Sequence, residues 1–332
     1  MNLRIQIVVF GINMWINNKP KSKYALVLVA SNQYLPGINE MINALDYYNN
    51  QVDLHFVHDE LPEKYIDEIK NADLNYRIVL NDFNDLEGSF LKTYPKLFPK
   101  DKYHIWTFLR YWYILQIKDE YKATAILDGD EMILNNITPW FEFASNTKYL
   151  MTARHHFRLS EPEDFSQNDV DNDAALPYFN HPIICNPKVW ASFFEFMFER
   201  ESQYHESDMR TLNKCLYLSD KMKDVFPLLD LQWIGAYIWT SKIKKIVLNN
   251  GMQYLECENE KARINVIHGK WYGHGFRINQ MNGAKPCNKE IMKNNLKLIC
   301  EMYKKFNLNH KVKISAIGDM MNEDWDTCYE SK

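Results

Sequence analysis

The sequence predicts an α/β protein: one mostly parallel sheet flanked by helices, in a single domain. Two observations carry this. Apolar runs of strand length alternate with stretches of helical periodicity from Tyr24 to Leu127, and no internal repeat, low-complexity tract or Pro/Ser-rich linker divides the chain. The runs are continuous rather than alternating, which is how strands covered on both faces read. At ~150 residues per domain the 332 residues leave room for two domains, but the unbroken rhythm favours one.

Residues Ile5 to Ile16 form an apolar stretch interrupted by Gln6 and Asn13 and preceded only by Arg4. It falls short of the ~20 residues a spanning helix requires, so a buried strand or packed arm is expected, with a weak signal anchor as the alternative. Residues 1–23 are read as this arm, 24–280 as the main domain and 281–332 as a C-terminal helical extension. Tyr24–Ala30 (YALVLVA) is the first buried strand. Leu35–Tyr48 follows with Ile38, Met41, Ile42 and Leu45 at helical spacing. Val52–His58 and Tyr76–Leu80 are further strands, separated by a short helix that Pro62 opens in its first turn. This succession winds a parallel sheet through right-handed crossovers. Asp101–Lys118 is the next helix, and Ala123–Leu127 (ATAIL) a strand that ends directly in Asp128-Gly129-Asp130-Glu131.

The second half is less regular. Strands are expected at Lys148–Ala153, Pro182–Cys185 and Ile264–Ile267, and helices at Pro187–Glu199, Met209–Leu218 and Asn288–Phe306. Ser160–Ala175 reads as a polar loop with six acids and no Lys or Arg, either a lid or a solvated insertion.

Composition excludes several classes. Lys and Arg number 39 against 43 Asp and Glu, a net charge of −4, which does not suit a non-specific nucleic-acid binder. The six cysteines show no C-x-x-C spacing, so they are read as reduced thiols of a cytoplasmic protein rather than a zinc cluster or disulfide frame.

Three features point to chemistry. Asp128 and Asp130 close a buried strand, where ligands of open α/β sheets bind, and Gly129 permits close approach of the backbone. Such a pair suits a hard divalent cation that also holds phosphate oxygens, the alternative being a solvated turn. The strand Ile264–Ile267 delivers His268 to a glycine-bearing loop with Lys270, His274 and Arg277. An imidazole there can complete a carboxylate metal site, or be a hydrogen-bonded structural histidine. Arg110 sits in an apolar helix stripe with Tyr103, Trp106, Tyr113 and Ile117, which is costly unless an anion meets it or the side chain snorkels.

Ala30-Ser31-Asn32-Gln33-Tyr34-Leu35-Pro36-Gly37, Leu127–Glu131, Tyr178-Phe179-Asn180, Asp208…Leu212-Asn213 and Val266-Ile267-His268-Gly269 occur here in order. The set resembles the family 8 glycosyltransferases from about Tyr24 to Gly275. The resemblance implies the GT-A fold, a nucleotide-sugar donor (usually a UDP-sugar), a manganese or magnesium ion, and transfer with retention. It further implies that Asp128, Asp130 and His268 bind the metal, and that Tyr34, Asn32 and Gln33 hold the uracil. Arg110 approaches the diphosphate and sugar, Gly129 lies against the donor, Lys270 faces the diphosphate, Asn180 the donor sugar and Asp208 a donor hydroxyl. Two departures bear on sugar identity and stereochemistry: Asn180 is followed by His181-Pro182 where the family usually has a small residue and glycine. Asp208-Met209-Arg210 stands where Asp-Gln-Asp is common.

The donor's leaving group would be neutralised by the cation and basic residues, with front-face attack by the acceptor hydroxyl. A glycan or protein hydroxyl is the expected acceptor. A hydroxymethylated DNA base is the alternative, with Lys19–Lys23 and Lys242–Lys245 as basic arms. A silent sugar- or nucleotide-binding protein on the same scaffold is the reading from another class. Trp106, Tyr111, Trp112, Tyr113, Trp271 and Tyr272 are either sugar-stacking platforms or core.

Overall fold

The computed structural model describes residues 14–30, 34–59, 61–94, 102–129, 131–154, 179–194, 208, 211–212, 225–227, 234–236, 243–249, 252–257, 261–268 and 310–313, with the strands between 225 and 268 described by backbone alone. The end of the N-terminal apolar stretch is β1 (Met14–Ile16), which pairs antiparallel with β4 (Ile78–Asp82). Between them come β2 (Tyr24–Ala30), α1 (Leu35–Tyr47), β3 (Asp53–His58) and α2 (Glu63–Asn71). Pro36 lies in the first turn of α1, and Pro62 is the residue that precedes α2.

The sheet shows why these strands read as unbroken apolar runs. Ala25, Val27 and Val29 of β2 face one core and Leu26, Leu28 and Ala30 the other. The second core is closed by α1, α2 and α5 (Thr138–Ser145). The first is closed by α3 (Phe83–Thr93), α4 (Lys102–Ile117) and the helical residues 187–194. The sequence reading did not anticipate α3. Gly88 and its Asn and Asp residues weaken its intrinsic preference, but Asp82 caps it by accepting from the Asn84 amide at 2.8 Å.

In the larger sheet β5 (Ala123–Leu127) lies beside β2 and parallel to it, so the order is β1-β4-β3-β2-β5-β8-β7-β9. Here β7 is Leu150–Arg154, β8 is Phe179–Cys185 and β9 is Val225–Pro227. The sheet is parallel across β4, β3, β2 and β5 but turns antiparallel at β8, which pairs with both β5 and β7. Because the chain runs from β2 outward on one side and returns to β5 on the other, the crevice beyond Ala30 and Leu127 is the sheet's topological switch point.

A second sheet joins at that crevice. It contains β10 (Ile234–Ala236), β11 (Ile243–Asn249), β12 (Met252–Cys257) and β13 (Lys261–His268), with β6 (Glu131–Ile133) paired to β13. Only β13 of this set is legible beforehand as Ile264–Ile267. The expected helix Asn288–Phe306 and the loop Ser160–Ala175 lie outside the described residues. Residues 310–313 pack on α1, where the Asn43 carboxamide accepts from the Lys311 and Val312 amides and donates to the Val312 carbonyl. No helix among the described residues is long and apolar enough to cross a membrane.

Candidate active site

The site forms where β5 ends. Asp128 is the first residue past the strand, and its amide donates to Glu131 Oε2 at 2.8 Å, while the Glu131 amide returns to the Asp128 carbonyl at 3.1 Å. This reciprocal pair closes a tight acidic turn. A Cβ on Gly129 would lie 3.0 Å from Ala30 Cβ and 3.2 Å from both Cβ and Cγ of Tyr34. The turn therefore rests directly on the end of β2 and the start of α1, and any side chain at 129 would push on Ala30 and Tyr34.

Arg110 meets its anions. Its Nη1 donates to Asp128 Oδ1, its Nη2 to Asp208 Oδ2, and its Nε to the Thr107 carbonyl at 3.1 Å. Burial works against the charge of this guanidinium, but Asp208 and Asp128 outweigh it and hold its pKa above the ordinary value. The side chains of Arg110 and Asp208 are 7% and 3% exposed, whereas Asp128 is 21% exposed, so Asp128 is the carboxylate that faces outward.

Two further residues complete the cluster. Tyr111 donates its hydroxyl to Asp208 Oδ2 at 2.9 Å, and the Tyr111 hydroxyl oxygen lies 3.1 Å from His181 Nε2. His181 Nδ1 is 3.0 Å from Asp128 Oδ2. Burial lowers the pKa of His181, with Arg110 adding to the effect and Asp128 opposing it. The imidazole is therefore neutral, with its proton on Nδ1 facing the carboxylate. Burial and the Asp208 charge raise the Tyr111 phenol, so it stays protonated. His181 is visible in the sequence only as a departure from a family pattern, and Tyr111 only as an aromatic beside Arg110. What gives them their place is tertiary: the antiparallel β8 sets His181 next to β5, and α4 carries Tyr111 beside Arg110.

Of the anticipated site residues, Arg110, Asp128 and Asp208 come together in one cluster, and Tyr34 packs against Gly129. His268 ends β13 and is the register partner of Glu131, one residue after Asp130, so the two distant motifs share one strand pair. Asn180 lies in β8 opposite Ala153. The Asn180 and His268 side chains, with Asn32, Gln33, Asp130 and Lys270, lie outside the described residues. The described His, Cys, Asp and Glu side chains form no cluster of three able to hold a metal. Of the aromatics read as either sugar-stacking platforms or core, Trp271 and Tyr272 lie outside the described residues. Tyr111, Trp112 and Tyr113 are core residues, and Trp106 is stacked on Phe83 at 4.2 Å.

The fold and this acidic switch-point crevice define a GT-A glycosyltransferase scaffold. The chain belongs to Glycosyl transferase family 8, whose sequence profile matches residues 25–251. Among solved structures, the bifunctional glycosyltransferase WbbM aligns over 84% of this chain and 52% of its own, at 13% identity and TM-score 0.51. The glycosyltransferase GlyE of Streptococcus pneumoniae TIGR4 aligns over 64% and 46%, at 16% identity and TM-score 0.43. Mouse xyloside xylosyltransferase 1 aligns over 75% and 98%, at 14% identity and TM-score 0.46. The chain thus spans about half the length of GlyE and WbbM. No curated protein matches the sequence.

Proposed function

We propose that this protein transfers a hexose or pentose from a nucleotide sugar, a UDP-sugar first of all, to a hydroxyl of a glycan or protein with retention at the anomeric carbon, in the cytoplasm. The observation that carries the reading is the register of β13 on β6, in which His268 lies opposite Glu131 at the end of the Asp128-Gly129-Asp130 turn. Two carboxylates and an imidazole are a ligand set for a manganese or magnesium ion. The described residues fit such an ion electrostatically, since one guanidinium faces two carboxylates and leaves a surplus negative charge with Asp128 outermost. Asp128, Asp130 and His268 would hold the ion, which supplies charge neutralisation for the departing nucleoside diphosphate.

The protein's own residues do the rest. Tyr34, packed on the Gly129 turn, presents its ring beside the acidic turn for the uracil, with Asn32 and Gln33. Arg110 orients Asp208 and is positioned to meet donor oxygens at the same crevice. Asp208 accepts from a sugar hydroxyl, Asn180 adds a contact to the sugar, and Lys270 faces the diphosphate. With no side chain assigned as a nucleophile, retention follows from front-face attack, and positioning supplies much of the barrier reduction. Lys19 and Lys21 are already paired with Asp73 and Glu120, which weakens the case for an N-terminal basic arm on DNA.

The test is consumption of a panel of UDP-sugars with manganese. Turnover should be lost in Asp130→Ala and Asp128→Asn, and NMR of the product should show the donor's anomeric configuration retained. Manganese-independent turnover, or an inverted product, would discard the corresponding part of the reading.

A further inference from the structure

We propose that Tyr111 and His181 are positioning residues, a buried phenol–imidazole strut that locks the carboxylates of Asp128 and Asp208 into one arrangement for sugar transfer. This rests on the reading of the site as a nucleotide-sugar site. Arg110 reaches one oxygen of each carboxylate, Oδ1 of Asp128 and Oδ2 of Asp208. A carboxylate held at one oxygen can still turn about its last torsion. The strut limits that freedom: His181 Nδ1 holds the second oxygen of Asp128 at 3.0 Å, and the Tyr111 hydroxyl gives Asp208 Oδ2 a second hydrogen bond beside that of Arg110, at 2.9 Å. The 3.1 Å contact between Tyr111 and His181 Nε2 closes the ring Arg110–Asp128–His181–Tyr111–Asp208.

The strut stands on rigid elements. Tyr111 is on α4 and stacks on Phe194 at 4.8 Å, and Phe194 packs on Trp190 at 4.3 Å. His181 is on β8, hydrogen-bonded into the sheet beside β5. Both side chains are wholly buried, so neither meets the donor, and their effect passes through the two acids. The metal-side carboxylate and the sugar-side carboxylate are thereby tied together, which fixes where the sugar sits relative to its diphosphate.

Tyr111→Phe removes one hydroxyl and keeps the stacked ring. His181→Asn keeps an N–H towards Asp128 but withdraws from Tyr111. With UDP-sugar and manganese, kcat per folded molecule should fall about 10- to 100-fold in each variant, as for other outer positioning residues. KM and UDP binding measured by calorimetry should stay near wild type, and the double variant should fall no further than the lower single, because the two act as a unit. An unchanged kcat with only a lower Tm overturns the proposal. If the wild-type protein consumes no nucleotide sugar, the functional reading fails by itself, and the strut is then judged in substrate-free crystals of Tyr111→Phe. A turned Asp208 or Asp128 carboxylate supports it, and both carboxylates unmoved on Arg110 overturn it.

Discussion

Helix α4 supplies two buried polar clusters made from nearly the same side chains, and they differ in two ways. At the site, Arg110 faces Asp128 and Asp208, with Tyr111 and His181 beside them. In the framework, Arg77 faces one carboxylate among the described residues, that of Asp53, and the chain continues through Tyr121, His55 and Tyr113 to Asn81, every link between 2.8 and 3.0 Å. Asp53 is the first residue of β3, whereas Asp128 follows the last residue of β5, so the clusters lie towards opposite ends of the parallel strands. The framework protons balance. Asn81 donates to Tyr113, Tyr113 to His55 Nδ1, His55 Nε2–H to Tyr121, and Tyr121 to Asp53. At the site, with the His181 proton committed to Asp128, the one Tyr111 proton is contested between Asp208 and Nε2. One charge and one proton separate the two clusters.

Neutralising one acid in each cluster separates the two most sharply. Asp128→Asn should lower nucleotide-sugar turnover by at least ~100-fold. Its stability should hold or rise by ~1 kcal/mol, because two acids no longer share one arginine. Asp53→Asn should do the reverse. Its side chain is fully buried against an arginine only 14% exposed, and breaking such a pair costs ~3 kcal/mol, while turnover per folded molecule holds. Kinetics corrected for folded fraction, with urea melts, read both. Equal losses of turnover would erase the distinction.

Gly129→Ala probes the turn on which the site rests. The added Cβ meets Ala30 Cβ at 3.0 Å, and Ala30 is fixed in β2, so the turn and Tyr34 must shift. Overpacking of this kind costs ~1–3 kcal/mol. UDP binding by calorimetry should weaken about tenfold, ~1.4 kcal/mol. Unchanged binding would mean that Tyr34 does not take part in holding the nucleotide.

How much of this was legible follows from how local each signal is. The Asp128 turn stood out because an apolar strand ended in acids, and Arg110 because a charge interrupted an apolar stripe. The pairing of Arg110 with Asp208 did not, although the family resemblance names Asp208 by itself. Asp208 lies 98 residues away, and no periodicity links the two. His181 could be seen, but its role depends on β8 running antiparallel to β5, which is a fact of tertiary pairing. The strands β11 and β12 carry a local clue in Asn250-Gly251 between the paired residues Asn249 and Met252. Their flanking runs do not alternate cleanly enough to declare strands. The His55 cluster left no mark because its members are spread over β3, β4, α4 and Tyr121, each plausible as ordinary core.

The acid limb of stability should belong to the framework. Burial, helped by Arg77 and Lys21, lowers the His55 pKa from 6.5 to about 3. Between those values the unfolded chain binds a proton that the folded protein refuses. Stability is therefore full above pH 6.5 and falls as pH drops towards 3, by up to ~1.4 kcal/mol per pH unit from this group. Urea melts from pH 7 to pH 4 should show the slope, and His55→Gln should flatten it. An identical slope in the variant would place the acid sensitivity elsewhere.

The smallest effect completes the comparison with a matched pair of hydroxyls on α4. Tyr113→Phe deletes the oxygen that accepts from Asn81 at 3.0 Å and donates to His55 at 2.9 Å. Two buried groups then lose one partner each, but the phenyl ring keeps the packing. The cost should be ~1–2 kcal/mol of stability, read as a lower Tm, with nucleotide-sugar turnover per folded molecule unchanged. Tyr111→Phe, two residues earlier on the same helix, should move the opposite quantity, because its oxygen holds a carboxylate at the site rather than a proton wire in the core. If both substitutions lower turnover alike, α4 transmits strain along its length and the two clusters are one network.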